Sequence, residues 1–275
     1  MTTQTSGNNS FDEQQSPKLE GRPSFRTAIT ALMMRELLTR FGRFRLGWLF
    51  VLLDPVVHIG FLGVMFGLIL KRSMPGADYM YFVTIGILSW DLVVGSMNRG
   101  MSAVAANAGL FSHRQVRPVT VILARVLIEF GILTVTTCVI WAGFVWLGHT
   151  VLPHSPVQAL LLVGLLTLMG LGLALIMGIL TPFFPLLERA VSFVTKPLFF
   201  ASGIIFNIQI IPADYRKYLV WNPLLHGIEL LRGTVFVGYD TSSVSLRYVF
   251  FVTLAVLLVG FIVNAMYGHK VTGER

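Results

Sequence analysis

Residues 40–60 read RFGRFRLGWLFVLLDPVVHIG. Three arginines, Arg40, Arg43 and Arg45, stand at the start of a long apolar run. Inside that run sit an acid and a proline, Asp54-Pro55, and one turn further His58. A helix of about 20 apolar residues crosses the roughly 30 Å hydrocarbon core of a bilayer. Charge inside such a helix faces its neighbours or a wet cavity rather than lipid. The fold class that follows is an all-α polytopic membrane protein. The composition agrees: of 275 residues 55% are hydrophobic and only 12% charged, and the mean hydropathy is +0.74. Soluble domains carry about 25% charged residues.

Apolar runs of spanning length lie at 47–70, 80–98, 119–147, 157–181, 188–210 and 248–268, which predicts six transmembrane helices. Fifteen of the 21 Lys and Arg residues then fall on the side of the N-terminus and six on the other. Cytoplasmic loops carry the positive excess, so both termini are expected in the cytoplasm. Arg40, Arg43 and Arg45 anchor the first span from inside, and Trp48 follows at headgroup depth. Upstream, 24–41 repeats Phe25, Ile29, Leu32, Met33, Leu37 and Phe41 at helical spacing. Arg26, Arg35, Glu36 and Arg40 fall mostly elsewhere on the wheel. Such a helix lies in the interface plane. Residues 1–23 lack an apolar stretch, so no cleavable signal is expected there and they read as a disordered cytosolic tail. Cys138 reads as a small core residue.

Two connecting segments are unusual. The stretch 212–236 is too polar to span and too apolar for a free loop. Pro212 stops one helix, and Asn222-Pro223 restarts another, Asn as cap and Pro at the first helical position. Leu224, Ile228, Leu231 and Val235 then form an apolar stripe, opposite His226, Glu229 and Gly233. The segment is expected to be a re-entrant helical hairpin before the last span, its stripe on helices five and six. Its polar face is expected to turn to a dimer axis or a periplasmic partner. The loop 98–118 is small-residue-rich and basic, with a short helix expected at 101–108 ended by Gly109. It reads as either a docking knob for a cytosolic partner or an ordinary positive-inside loop.

There is no G-x-x-x-x-G-K-[ST], no H-E-x-x-H, no G-x-S-x-G and no paired-cysteine metal spacing. Asp54 and His58 share a helix face at i,i+4, either as an acid–base dyad or as a polar stitch between helices. At about 1.5 Å per residue, Asp54, Asp91 and Glu129 all fall in the cytoplasmic half. Arg125, one turn from Glu129, is placed to neutralise it. Together they suggest a polar vestibule open to the cytosol.

Four stretches carry a family resemblance: RELLTRFGRFRLGWLFVLLDPVVH (35–58), NAGLFSHRQVRPVTVILARVLIE (107–129), KPLFFASGIIFNIQIIPADYRKYLVWNPLLHGIELLRG (196–233) and VGYD (237–240). Over nearly all of the chain after residue 24 it resembles the permease subunit of capsular polysaccharide ABC exporters of the group 2 type. O-antigen and teichoic-acid permeases are the wider relatives. One departure is Phe50, which follows Leu49 where another aromatic is usual.

The resemblance implies a homodimer of permeases with two copies of a separate ATP-binding subunit. ATP and Mg stay on that partner, and no cofactor or metal is implied in this chain. It implies export of a lipid-linked, anionic polysaccharide across the bacterial inner membrane. A periplasmic co-polymerase and an outer-membrane export protein continue the route, and no nucleic acid is involved. Arg40, Arg43, Arg45, Trp48, Asp54, His58, Asp91, Arg99 and Glu129 are then the candidates for the substrate entrance and path. Asn107, Gly109, His113, Arg114 and Arg117 are the candidates for ATPase coupling. Tyr215, Trp221, Asn222, Pro223, His226, Glu229 and Arg232 are those of a periplasmic gate. The rival classes are an integral-membrane glycolipid-modifying transferase and a proton-coupled transporter relaying through Asp54 or Glu129.

Overall fold

A computed structural model describes residues 25–41, 47–69, 78–112, 116–148 and 152–271. Among them there is helix and no strand. Helix α1 (Phe25–Phe41) precedes α2 (Gly47–Leu62), which runs on as a π-helical segment, Gly63–Ile69. The next long helix is composite: α3 (Tyr79–Trp90), a π segment Asp91–Gly95, and α4 (Ser96–Met101). After the short α5 (Ala103–Ala106) come α6 (Pro118–Trp146), α7 (Pro156–Leu180) and α8 (Leu186–Ala201). The chain closes with α9 (Ala213–Leu219), α10 (Pro223–Val235) and α11 (Leu246–Val271). Among the described residues four stretches are long and apolar enough to cross a bilayer by themselves: Tyr79–Met101, Pro118–Trp146, Pro156–Leu180 and Leu246–Val271. The tail 1–23 lies outside the described residues.

Helix α7 is the centre, packed against α11 on one side and α4 on another. In lipid, helices associate by close van der Waals approach, which small residues permit. A Cβ on Gly100 would stand 2.6 Å from the Cα of Ala174, and one on Gly260 would stand 2.9 Å from the carbonyl oxygen of Gly172. The α7–α11 seam is also stitched by Asn264, whose Nδ2 donates to the Leu175 carbonyl at 3.0 Å. At the π segment the helix accommodates an extra residue. There the carbonyl of Leu92 meets α7 so closely that a Cβ on Gly170 would stand 2.8 Å from it.

Three sequence expectations are revised. The fifth apolar run, 188–210, is helical only to Ala201. Gly203 takes a left-handed φ of +69°, and a 3-10 turn follows at Ile208–Ile210. The inner loop begins later than expected, because the second long helix continues to Met101. Its short helix is Ala103–Ala106, with Asn107 as C-cap, and Gly109 sits within a 3-10 turn at Ala108–Ser112. Cys138 is exposed on α6 and is not a core residue.

Candidate functional site: two polar ends of one bundle

Helix α1 docks on α6 and touches α2. From this helix, Arg35 donates to Asn107 Oδ1 at 3.0 Å, and the Asn107 amide donates in turn to the Ala103 carbonyl at 2.9 Å. The same interface holds Arg125 of α6. Its Nη2 donates to Glu36 Oε2 at 3.3 Å and its Nη1 donates to Ser102 Oγ at 2.9 Å. The Nε–Oε1 approach of 3.2 Å completes the ion pair with Glu36. One turn along α6, the buried Glu129 pairs with Arg99 of α4 at 3.3 Å. Glu129 thus has a cross-helix partner in addition to Arg125 one turn away on its own helix. Glu129 is bridged across helices by Arg99, and Arg125 reaches back to the peripheral helix. Only Arg99 of these four side chains is well exposed, so removing one partner leaves a largely buried charge uncompensated. Together they tie α1, the inner loop, α4 and α6 at one end of the bundle.

The opposite end is built around α10. Asn222 caps it: Oδ1 accepts from the Leu224 N–H at 3.0 Å, and Nδ2 donates to Ser202 Oγ at 2.8 Å. Pro223 opens the helix at its first position. His226 occupies both ring nitrogens. Nδ1 accepts from the Ser245 N–H at 2.8 Å, and Nε2 lies 2.7 Å from the Val220 carbonyl. The ring is thereby set as the neutral Nε2–H tautomer, and burial lowers its pKa from the ordinary histidine value.

Glu229 and Arg232 are fully buried, 2.9 Å apart. The guanidinium also donates to the carbonyls of Gly203 (2.7 Å), Ile204 (2.8 Å) and Phe82 (3.0 and 3.3 Å). Tyr239 donates its hydroxyl to the second Glu229 oxygen at 2.8 Å. This corrects the expected outward polar face. The charged side chains turn into the subunit's own interior, because the unwound end of the fifth run supplies the acceptors that a buried cation requires. The apolar stripe follows suit: Leu224 and Ile228 lie in the main core with Phe82, Leu166 and Ile204. Helix α10 packs on α3, α7 and α11.

The remaining candidates scatter. Arg43, Arg45, His113 and Arg114 lie outside the described residues, as do the side chains of Arg40, Trp48 and Asp54, so the Asp54–His58 pairing does too. His58 is exposed and stacks on Phe199 of α8, centroids 5.5 Å apart. Asp91 opens the π segment, half-buried. Arg117 is exposed at the N-cap of α6. Tyr215 and Trp221 are exposed on the outer segment. Sequence reasoning missed Arg35 and Glu36 as the partners of the inner loop and α6. Their place on the polar stripe of the amphipathic pattern at 24–41 was the available signal. It also missed Phe82, Gly203 and Tyr239, which lie far from Arg232 or Glu229 in sequence or offer only a carbonyl or a hydroxyl.

Among the described residues the chain is thus an all-helical bundle with four stretches long and apolar enough to cross a membrane and a polar cluster at each end. The family model of the ABC-2 type transporter membrane component matches residues 27–236, and the chain belongs to that family. It is 36% identical over 236 residues to the polysialic acid transport protein KpsM of Escherichia coli, covering 86% of this chain and 91% of that one. The capsule polysaccharide export inner-membrane protein CtrC of Neisseria meningitidis serogroup A is 28% identical, over 88% of this chain and 92% of CtrC. BexB of Haemophilus influenzae, of the same description, is 27% identical over 90% and 92%. The chain is thus a transporter subunit rather than an enzyme.

Proposed function

We propose that the chain is the transmembrane subunit of an ATP-driven exporter that moves lipid-linked, acidic capsular polysaccharide from the cytosol to the periplasm. It sits in the bacterial inner membrane and works as a homodimer with two copies of a separate ATP-binding subunit, which holds ATP and Mg. A co-polymerase and an outer-membrane export protein take the polymer onward. The observation that carries this reading is the match along nine-tenths of a polysaccharide transport protein. The joint between α1 and the inner loop supports it, because an ATPase pushing on that loop moves the interfacial helix with it.

On this reading both termini are cytoplasmic. The loop around Asn107, Gly109, His113, Arg114 and Arg117 contacts the ATPase. Arg40, Arg43 and Arg45 receive the anionic glycolipid head, and Arg99, Glu129 and Asp91 line its path. Helices α2 and α8 complete six spans, and α9 with α10 forms a periplasmic hairpin that does not cross.

The test is reconstitution. Purified permease should bring down its ATPase, and vesicles should translocate glycolipid on ATP addition with the proton gradient collapsed. Translocation that needs the gradient and not ATP would identify a proton-coupled carrier, and covalent change of the glycolipid would identify a transferase.

A further inference from the structure

Between α9 and the first turn of α11 lies an open cavity of about 650 Å³. That volume is within the range of small-ligand sites. Its walls include Arg216, Lys217, Trp221, His226, Ser243 and Tyr248. Both formal charges in the lining are positive, and neither Asp nor Glu lines it. The two cations differ in kind. Arg216 is fixed: Nη1 donates to Ser243 Oγ at 2.8 Å, and Nη2 donates to the carbonyls of Gln209 (3.2 Å) and Ile211 (3.1 Å). Lys217 is exposed, with its ammonium 5.3 Å from the centre of the Tyr218 ring and no ion pair among the described residues. Asp240 feels the charge of Arg216 but stands outside the cavity wall.

The aromatic side is equally defined. Trp221 is 82% exposed. Its backbone is nonetheless held, because the Tyr248 hydroxyl donates to the Trp221 carbonyl at 2.8 Å. The His226 ring leans on Tyr248 with centroids 4.9 Å apart, and both its nitrogens are already engaged. The result is a flat ring face on a rigid mount beside one immobile and one adjustable cation.

We propose that this cavity binds an acidic sugar unit, its carboxylate against Lys217 and Arg216 and the C–H face of its ring against Trp221. Charge-assisted hydrogen bonds hold carboxylates in such settings, and aromatic faces cover the apolar side of a ligand that has one polar edge. The inference rests on the exporter reading for what reaches the outer hairpin. It adds that the hairpin grips the emerging acidic polymer.

The test uses the full chain in phosphatidylcholine nanodiscs, with a sialic acid tetramer, a galacturonic acid tetramer and the carboxyl-reduced form of each as probes. At least one acidic tetramer should bind, and its neutral form should bind about tenfold more weakly, the factor a hydrogen bond to a charged group contributes. Lys217→Gln should weaken binding by about the same factor, Trp221→Ala by about two- to tenfold for the lost ring face, and Lys217→Arg should keep most of the binding. Melting temperature and capture of the ATPase should stay at wild-type values in all three variants. Equal binding of acidic and neutral forms, binding unchanged in both weakening variants, or no binding of either acidic tetramer overturns the site. Full displacement by phosphatidylglycerol in the discs overturns it as well, and would make the cavity a lipid-headgroup site. Export that persists in a chain binding neither tetramer removes the site and leaves the exporter. Tetramer binding by a chain that captures no ATPase leaves the site and removes the exporter.

Discussion

The guanidinium of Arg232 lies 3.4 Å from the centre of the Phe82 ring while donating two hydrogen bonds to the Phe82 backbone carbonyl. One residue of the outer hairpin thus clamps the first turn of α3, 150 positions away, through both its charge and its donors. Breaking one partner of a buried pair costs about 3–5 kcal/mol, because the other charge is left uncompensated. Arg232→Met should therefore lower thermal stability in detergent by that order. Glu229→Gln with Arg232→Met should cost less than the two single changes added. Simple additivity in melting experiments would show that the two side chains do not act as a pair.

His226 should make the hairpin acid-sensitive. Its folded-state pKa is lowered by burial from the ordinary 6.5, so the unfolded state takes up the proton first. Stability is then full above about pH 6.5 and falls as the pH drops below it. A proton on Nδ1 would also face the Ser245 N–H, a donor against a donor. Melting temperatures measured between about pH 5 and 8 should slope in the wild type and be flatter in His226→Gln. Equal slopes would assign the acid response to other groups.

The inner joint should behave as a charge pair. Glu36→Arg or Arg125→Glu alone should reduce ATP-driven export several-fold and lower the melting temperature, since each sets two like charges together at a largely buried pair. The swapped double variant should recover most activity. Failure of the swap to rescue, with normal expression, would mean that the pairing is incidental to coupling.

Close helix approach gives a prediction with an internal control. Gly100→Ala places a methyl against the Cα of Ala174 and should cost about 1–3 kcal/mol. A Cβ on Gly60, Gly131 or Gly143 meets nothing within 4 Å among the described residues, and Gly131→Ala and Gly143→Ala should not be destabilising. Thermal unfolding of Gly100→Ala beside Gly131→Ala and Gly143→Ala decides it.

The hairpin should begin and end on one side of the membrane. In a Cys138→Ser background, cysteines at Asp214 and Val237, both exposed, should react with an impermeant thiol reagent from the periplasm. Reaction of one from outside and the other only from inside would make the segment a span.

Much of the architecture was legible in the chain because lipid leaves few choices. Backbone groups must be satisfied within each spanning segment, so apolar run length alone marks Pro118–Trp146, Pro156–Leu180 and Leu246–Val271 as helices. The restart of α10 was legible for a local reason as well: Asn222 and Pro223 carry their own capping geometry wherever they are placed. The direction of the polar side chains was decided by tertiary structure. Periodicity puts Glu229 and Arg232 on the polar face of a helix, and in isolation that face turns outward. Only the folded chain brings the carbonyls of Phe82, Gly203 and Ile204 to one point, and those acceptors, with Glu229, offset the desolvation of the buried guanidinium. Likewise Glu129 and Arg125 are neighbours on one helix, yet α4 and α1 supply the further partners Arg99 and Glu36. Hydropathy records how much charge a segment carries; which residue answers that charge depends on contacts between segments far apart in the chain.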